Sequence, residues 1–154
     1  MSKINLARVI LGGVIAGIVI DVCEGILNGV ILKQQWADAF IALGKTSDTM
    51  SVKQIVAFNL WGIAAGIITV WLYAGLRPRF GAGPRTAIVA GLTVWALAFA
   101  LATAVPVFFH LYPVGLGLTS VALEAFEMIL SGLAGGALYK ESAAESARSM
   151  TARA

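Results

Sequence analysis

Residues 9–32 read VILGGVIAGIVIDVCEGILNGVIL, a run with no basic side chain, in which Asp21, Glu24 and Asn28 are the strongly polar positions. A helix needs ~20 such residues to cross a ~30 Å hydrocarbon core. Working outward from this run, three more stretches of the same kind follow, which places spans at about 9–32, 52–76, 86–109 and 115–139. In lipid no water satisfies a bare backbone, so each span has to be helical in spite of its Val, Ile and Thr content. The expected fold is all-α: a polytopic membrane protein of four transmembrane helices forming one domain over 1–154, with residues 140–154 as a tail.

Composition points the same way. Residues of the set AVILMFWYC make up 59% of the chain and charged residues 12%, about half the charged share of an average soluble protein. A soluble domain of ~150 residues leaves ~30% of its unfolded surface in water and must cover it with polar side chains. This chain lacks them, which excludes a soluble enzyme and a disordered tail. The single Cys23 precludes an intrachain disulfide. The 11 Lys and Arg residues sit singly between apolar runs, with no basic stripe for nucleic acid. Lys3 and Arg8 precede the first span without a small-x-small cleavage site, so this span is expected to stay uncleaved.

The connections differ in kind. Arg77 to Arg85 reads as a Pro/Gly turn with three arginines, and the loop at Tyr112-Pro113 is very short. The first loop is longer and carries Leu32, Trp36, Phe40 and Leu43 at helical spacing, ending at Gly44. That pattern predicts a short amphipathic helix over about 33–44, lying in the membrane interface. Ser51 followed by Gln54 reads as a capping box that opens the second span. Gly13 and Gly17, Gly25 and Gly29, and Gly62 and Gly66 are each four apart, the spacing at which helices approach closely in lipid.

The carboxylates carry the functional signal. Asp21 and Glu24 lie in the first span, Glu124 and Glu127 in the fourth. Each costs ~2.5–3.5 kcal/mol near the bilayer centre, so something must compensate them. Gly17, Asp21, Glu24 and Asn28 fall on one helical face, and Gly117, Ser120, Glu124, Glu127 and Ser131 form a matching stripe. With Asn59 and His110 at similar depth, an acidic pocket opening outward is expected. Three chemistries fit it: a hydrogen-bonded network of neutral acids joining helices, a proton or cation pathway, or a fixed site for a metal or a cationic ligand. In the last case Asp21, Glu24, Glu124, Glu127 and His110 are the candidate ligands, a divalent ion is the implied cofactor, and Asn28, Asn59 and Ser120 give polar support. The pairs Asp21-x-x-Glu24 and Glu124-x-x-Glu127 lack the third-position histidine of di-metal bundles. No nucleophile–base pair or cofactor fingerprint points to an enzyme. An accessory subunit of a larger membrane complex, or a homo-oligomer, is the alternative in which the glycine faces are docking surfaces.

The stretch from Leu32 to Gly44, with Glu124-Ala125-Phe126-Glu127 and the closing Gly135-Gly136-Ala137-Leu138-Tyr139, resembles a group of small four-span bacterial membrane proteins of unknown function. The resemblance implies four spans in a bacterial inner membrane and no particular activity.

Basic residues set the expected orientation. Lys3, Arg8, Arg77, Arg79, Arg85, Lys140, Arg148 and Arg153 fall on the side of the termini, against Lys33, Lys45 and Lys53 on the other. By the positive-inside rule both termini are cytoplasmic. A reporter fused after Ala154 is predicted to give a cytoplasmic signal, and one inserted within Lys45–Asp48 a periplasmic signal. The reverse pattern in a fusion assay would invert the topology.

Overall fold

The structure, a computed structural model, describes residues 4–45 and 50–141. Of the expected tail, 142–154 lie outside the described residues. Four helices are long and apolar enough to cross a membrane: α1 (Leu6–Ile31), α3 (Val52–Phe80), α4 (Pro84–Phe108) and α5 (Val114–Leu138). The short α2 (Lys33–Ala42) follows α1 directly. Among the described residues there is no strand, and the all-α polytopic fold expected from the sequence is the observed one.

Local chemistry explains where the helices begin and end. Asn5 caps α1 by accepting from the Arg8 amide. At Ser51 the capping box is complete, its hydroxyl accepting from the Gln54 amide while the Gln54 side chain accepts from the Ser51 amide. Pro84 occupies the first turn of α4, where a missing N–H costs nothing. Gly44 ends α2 with a φ of 74°, a left-handed conformation that costs other residues a Cβ clash.

The turn expected from Arg77 to Arg85 is shorter than that. Helix α3 continues through Pro78 to Phe80, and Gly81 to Gly83 make the reversal. What holds this last turn is Arg77. Its guanidinium lies 5.7 Å from the Tyr73 ring centroid and 5.1 Å from that of Tyr139, and bridges to Glu141 at 3.3 Å. Nearby the Asn5 amide donates to the Tyr139 hydroxyl. The first and last spans therefore end together, at what we call the terminal end of the bundle; α2 lies at the other.

Helix α1 packs against α3 and α5, α4 packs against α5 and α3, and α3 meets α5 across the centre. The closest contacts run through glycine. A Cβ on Gly66 would collide with the Gly17 amide nitrogen and the Gly13 carbonyl. One on Gly13 would lie 2.5 Å from the Ile67 Cα, and one on Gly12 2.6 Å from the Gly135 carbonyl oxygen. On the far side, a Cβ on Gly132 would come within 2.6 Å of the Ala87 carbonyl. Lipid tails are as apolar as leucine, so helices associate in them through such close packing rather than through a hydrophobic effect. Of the three glycine pairs noted in the sequence, Gly13/Gly17 and Gly62/Gly66 face each other across the α1–α3 seam. Gly25 and Gly29 have nothing within 4 Å.

The core is stacked along the bundle axis. Val9, Ala16, Val70, Tyr73 and Tyr139 fill the terminal end, Ile20, Val94, Phe99 and Met128 the middle, and Leu27, Leu32, Ala39 and Leu116 the α2 end. Ile10, Leu60, Leu97, Leu118 and Phe126 face outward and are exposed. Such a coat suits acyl chains and would aggregate in water.

Gly66→Ala is predicted to destabilise the protein in mild detergent by at least about 2 kcal/mol, because only backbone can move aside. Gly25→Ala and Gly29→Ala should leave stability unchanged or slightly raised, since alanine is the better helix former by up to ~1 kcal/mol. Thermal unfolding of the three variants checks the contrast.

Candidate functional site

The α5 stripe read in the sequence does face inward. Leu116, Gly117, Ser120, Glu124, Glu127, Ser131 and Gly135 are all buried on that helix. Close to the middle of the stripe, the Ser131 hydroxyl donates to the Ala16 carbonyl of α1 at 3.1 Å. This bond and the Gly12–Gly135 contact clamp α5 onto α1. The next polar groups toward the α2 end, Glu127, Glu124 and Ser120, are then carried into the interior whether or not partners await them.

Partners are largely missing. Glu124 is 8% exposed and Glu127 3%. Both carboxylate oxygens of Glu127, Oε2 of Glu124 and the Ser120 hydroxyl have no hydrogen-bond partner among the described residues. From α1, Glu24 comes near enough to both glutamates for charge repulsion, and Asp21 near enough to Glu127. The four acids, two on each helix, thus lie on the same side of the α1–α5 contact.

A relay covers the α2 end of this neighbourhood. The Trp36 indole N–H donates to Asn28 Oδ1 at 2.8 Å, and Asn28 Nδ2 donates in turn to Glu24 Oε2. Trp36 also stacks edge-on against Tyr112, with ring centroids 5.2 Å apart. Trp36, Tyr112 and Leu123 pack on the buried cluster of Leu27, Leu32, Ala39 and Leu116. The expected amphipathic helix therefore exists, but it rests on the bundle end: Leu32 and Ala39 are buried against it, while Phe40 and Leu43 are exposed. In consequence the acids do not line an open outward pocket. Glu124 and Glu127 are sealed beneath an aromatic and aliphatic cover.

Two irregular helical segments lie close to these acids. Helix α1 widens to π geometry over Leu27–Ile31, immediately after Glu24 and through Asn28. Helix α4 does so over Trp95–Ala100, where the Trp95 indole donates to the Val121 carbonyl of α5 at 2.9 Å, one turn from Glu124. Such bulges concentrate at functional sites.

Not every residue expected at the site reaches it. His110 sits in the exposed turn after α4 with a φ of 54°. Asn59 is exposed on α3, its amide donating to the Ile55 carbonyl of its own helix at 2.8 Å. Asp21 rests against the α3 backbone, where a Cβ on Gly62 would collide with its carboxylate. Among the described residues no group of three or more His, Cys, Asp or Glu side chains is disposed to hold a metal ion. Trp36, Trp95 and Tyr112 were not among the candidate site residues. Trp36 falls two helical turns beyond Asn28, which is the one sequence signal that could have linked them.

Compared with known proteins, the chain matches no family model, no curated protein and no solved structure.

Tyr112, outside the spans, reports on the site. Its partial burial, and secondarily the charge of Glu124, hold its phenol above the usual tyrosine value. The folded state therefore keeps that proton longer than the unfolded chain does, and stability falls as pH rises from the ordinary tyrosine range, ~10, through the folded midpoint. Replacing Glu124 by Gln removes the charge contribution, so Tyr112 should ionise at lower pH. Ultraviolet titration of the phenolate, with Tyr112→Phe to identify its share, measures the shift. An unchanged midpoint would separate Glu124 from Tyr112.

Proposed function

We propose that Glu24, Glu124 and Glu127, with Asp21 at their edge, form an intramembrane site that takes up a proton or a small cation. The observation that carries this reading is the pair of unpartnered oxygens on Glu127, 3% exposed in the middle of an apolar bundle. A bare carboxylate there has no hydrogen-bond donor among the described residues, and its desolvation is worth several kcal/mol. A proton or a cation would complete the group. A network of neutral acids acting as interhelical glue would instead be expected to spend its oxygens on one another or on backbone, as Ser131 spends its hydroxyl on Ala16.

The Trp36–Asn28–Glu24 relay links the site by hydrogen bonds to the α2 end. In the orientation set by the basic residues, this end is periplasmic and both termini are cytoplasmic, in a bacterial inner membrane. The open Gly25 and Gly29 face favours a second reading, an accessory subunit whose partner helix packs there.

The test is thermal unfolding of the protein in mild detergent, followed across about pH 5–8 and with added Na⁺, K⁺, Ca²⁺ or Mn²⁺. Wild type is predicted to respond to pH or to one of the cations. A cation at a hundredfold excess over its Kd should add ~2.7 kcal/mol. Glu124→Gln combined with Glu127→Gln should flatten the response, while Asp38→Asn on the exposed face of α2 should not. A wild type as flat as the double variant would leave the subunit reading as the better account.

A further inference from the structure

Along the α1–α3 seam runs a groove of about 450 Å³, lined by Asp21, Ile55, Val56, Asn59, Leu60 and Ile63. The groove is shallow and open, an aliphatic wall from one helix with Asp21 and Asn59 as its polar groups. Leu60, Ile55 and Val56 are exposed on the outer surface of α3, so the groove is reached sideways from the lipid.

Its one charged side chain is acidic. Asn59 commits one amide N–H to the Ile55 carbonyl, which leaves its Oδ1 acceptor and one N–H free. Asp21 contributes a carboxylate that glycine at position 62 allows to lie flat against α3. No Lys, Arg or His lines the groove. The polar pair offers negative charge and acceptors, and the remaining wall is aliphatic. An occupant that complements it carries a positive charge with N–H donors at one end and hydrocarbon at the other.

Depth narrows the choice. Asp21 is ten residues from Ile31 and Asn59 seven from Val52, so at ~1.5 Å per residue the pair lies ~10–15 Å below the α2 end. An inorganic cation would have to exchange its water for aliphatic walls there. A phospholipid would have to pull its phosphate down with its amine. A single-chain amine brings no phosphate with it, and burial of its hydrocarbon chain against the aliphatic wall offsets part of the cost of desolvating its ammonium.

We propose that the α1–α3 groove binds a hydrophobic alkylammonium from the leaflet on the α2 side, its ammonium donating to Asp21 and Asn59 and its chain lying along Ile55, Val56, Leu60 and Ile63. This goes beyond the interior site and does not rest on it, because Glu124 and Glu127 do not line the groove.

Equilibrium dialysis of radiolabelled decylamine, at a pH where it is cationic, tests the proposal on the full chain in phosphatidylcholine nanodiscs, with empty nanodiscs giving the partition background. Saturable binding of one amine per chain is expected. Asp21→Asn should weaken it about tenfold or more, the loss expected when a charged hydrogen bond is removed. Asn59→Leu, which is on an exposed position and should fold normally, should weaken it by a smaller factor. Decyltrimethylammonium, with no N–H, should bind about tenfold less tightly than decylamine. Glu127→Gln, which does not line the groove and acts on it only at a distance, should weaken decylamine binding less than Asp21→Asn does, even if the response expected of the interior site is lost. Purely non-saturable uptake, equal affinity for the two cations, or unchanged binding in both Asp21→Asn and Asn59→Leu would each overturn the proposal. Competition by phosphatidylethanolamine nanodiscs would overturn it in favour of a lipid headgroup. Loss of binding in Glu127→Gln alone would move the amine to the interior site.

Discussion

Backbone contact between Gly66 of α3 and the Gly13–Gly17 turn of α1 is the constraint on which the arrangement of the other helices depends. In lipid nothing pushes helices together as water does, so attraction must come from dispersion at short range and from the few polar bonds available. The glycine seam brings α1 to α3 at backbone distance, and the Gly12–Gly135 contact does the same for α1 and α5. Once both are fixed, α4 has one remaining place, against α5 and α3, where Gly91 and Gly132 meet the Met128 and Ala87 carbonyls. Little room for adjustment remains around the acids, which the packing holds in place without having satisfied them.

Polar contacts are divided unevenly along the bundle axis. At the terminal end Arg77, Tyr73, Tyr139, Asn5 and Glu141 bind one another by ion pair, ring contact and hydrogen bond. Toward the α2 end the relay from Trp36 through Asn28 reaches only Glu24. Glu124 and Glu127, between these regions, receive neither treatment. A protein selected for stability alone would be expected to place leucine at such positions, since replacing buried ionic groups by packed apolar ones is often neutral or stabilising. That two glutamates and a serine occupy the stripe is the physical argument for a use of their charge.

The amount legible in the sequence follows from the range of the interactions involved. Span length and the capping box at Ser51 are local and were readable to within a few residues. The inward stripe of Ser120, Glu124 and Glu127 was readable because helical periodicity is local too. What escaped depends on contacts between elements. Helix α3 runs on through Pro78 and sets Arg77 against Tyr139, some sixty residues away, a contact that no local pattern announces. Whether the amphipathic helix floats in the interface or seats on the bundle end is decided by Leu116 and Tyr112. The π segments have no residue signature at all, and they shift which side chains share a face beyond them. The expectation of an open pocket failed for the same reason, since its cover comes from α2 and the α4–α5 loop.

The division of the four acids follows from the same geometry. Residues three apart on a helix are offset by ~60° around its axis, which is close enough to count as one face and far enough to meet different neighbours. On α1, which packs against two helices at once, that offset sends Asp21 toward α3 and Glu24 toward α5. On α5 the same spacing keeps Glu124 and Glu127 together, because that face of α5 is buried along its whole length. Asp21 is consequently open to the lipid side along the α1–α3 groove while remaining within electrostatic reach of Glu127. A positive charge arriving beside Asp21 would be felt at Glu127 without touching it, and the low dielectric between them would make that influence stronger than in water. The two proposed sites, one lateral and one interior, would therefore be coupled through a single carboxylate.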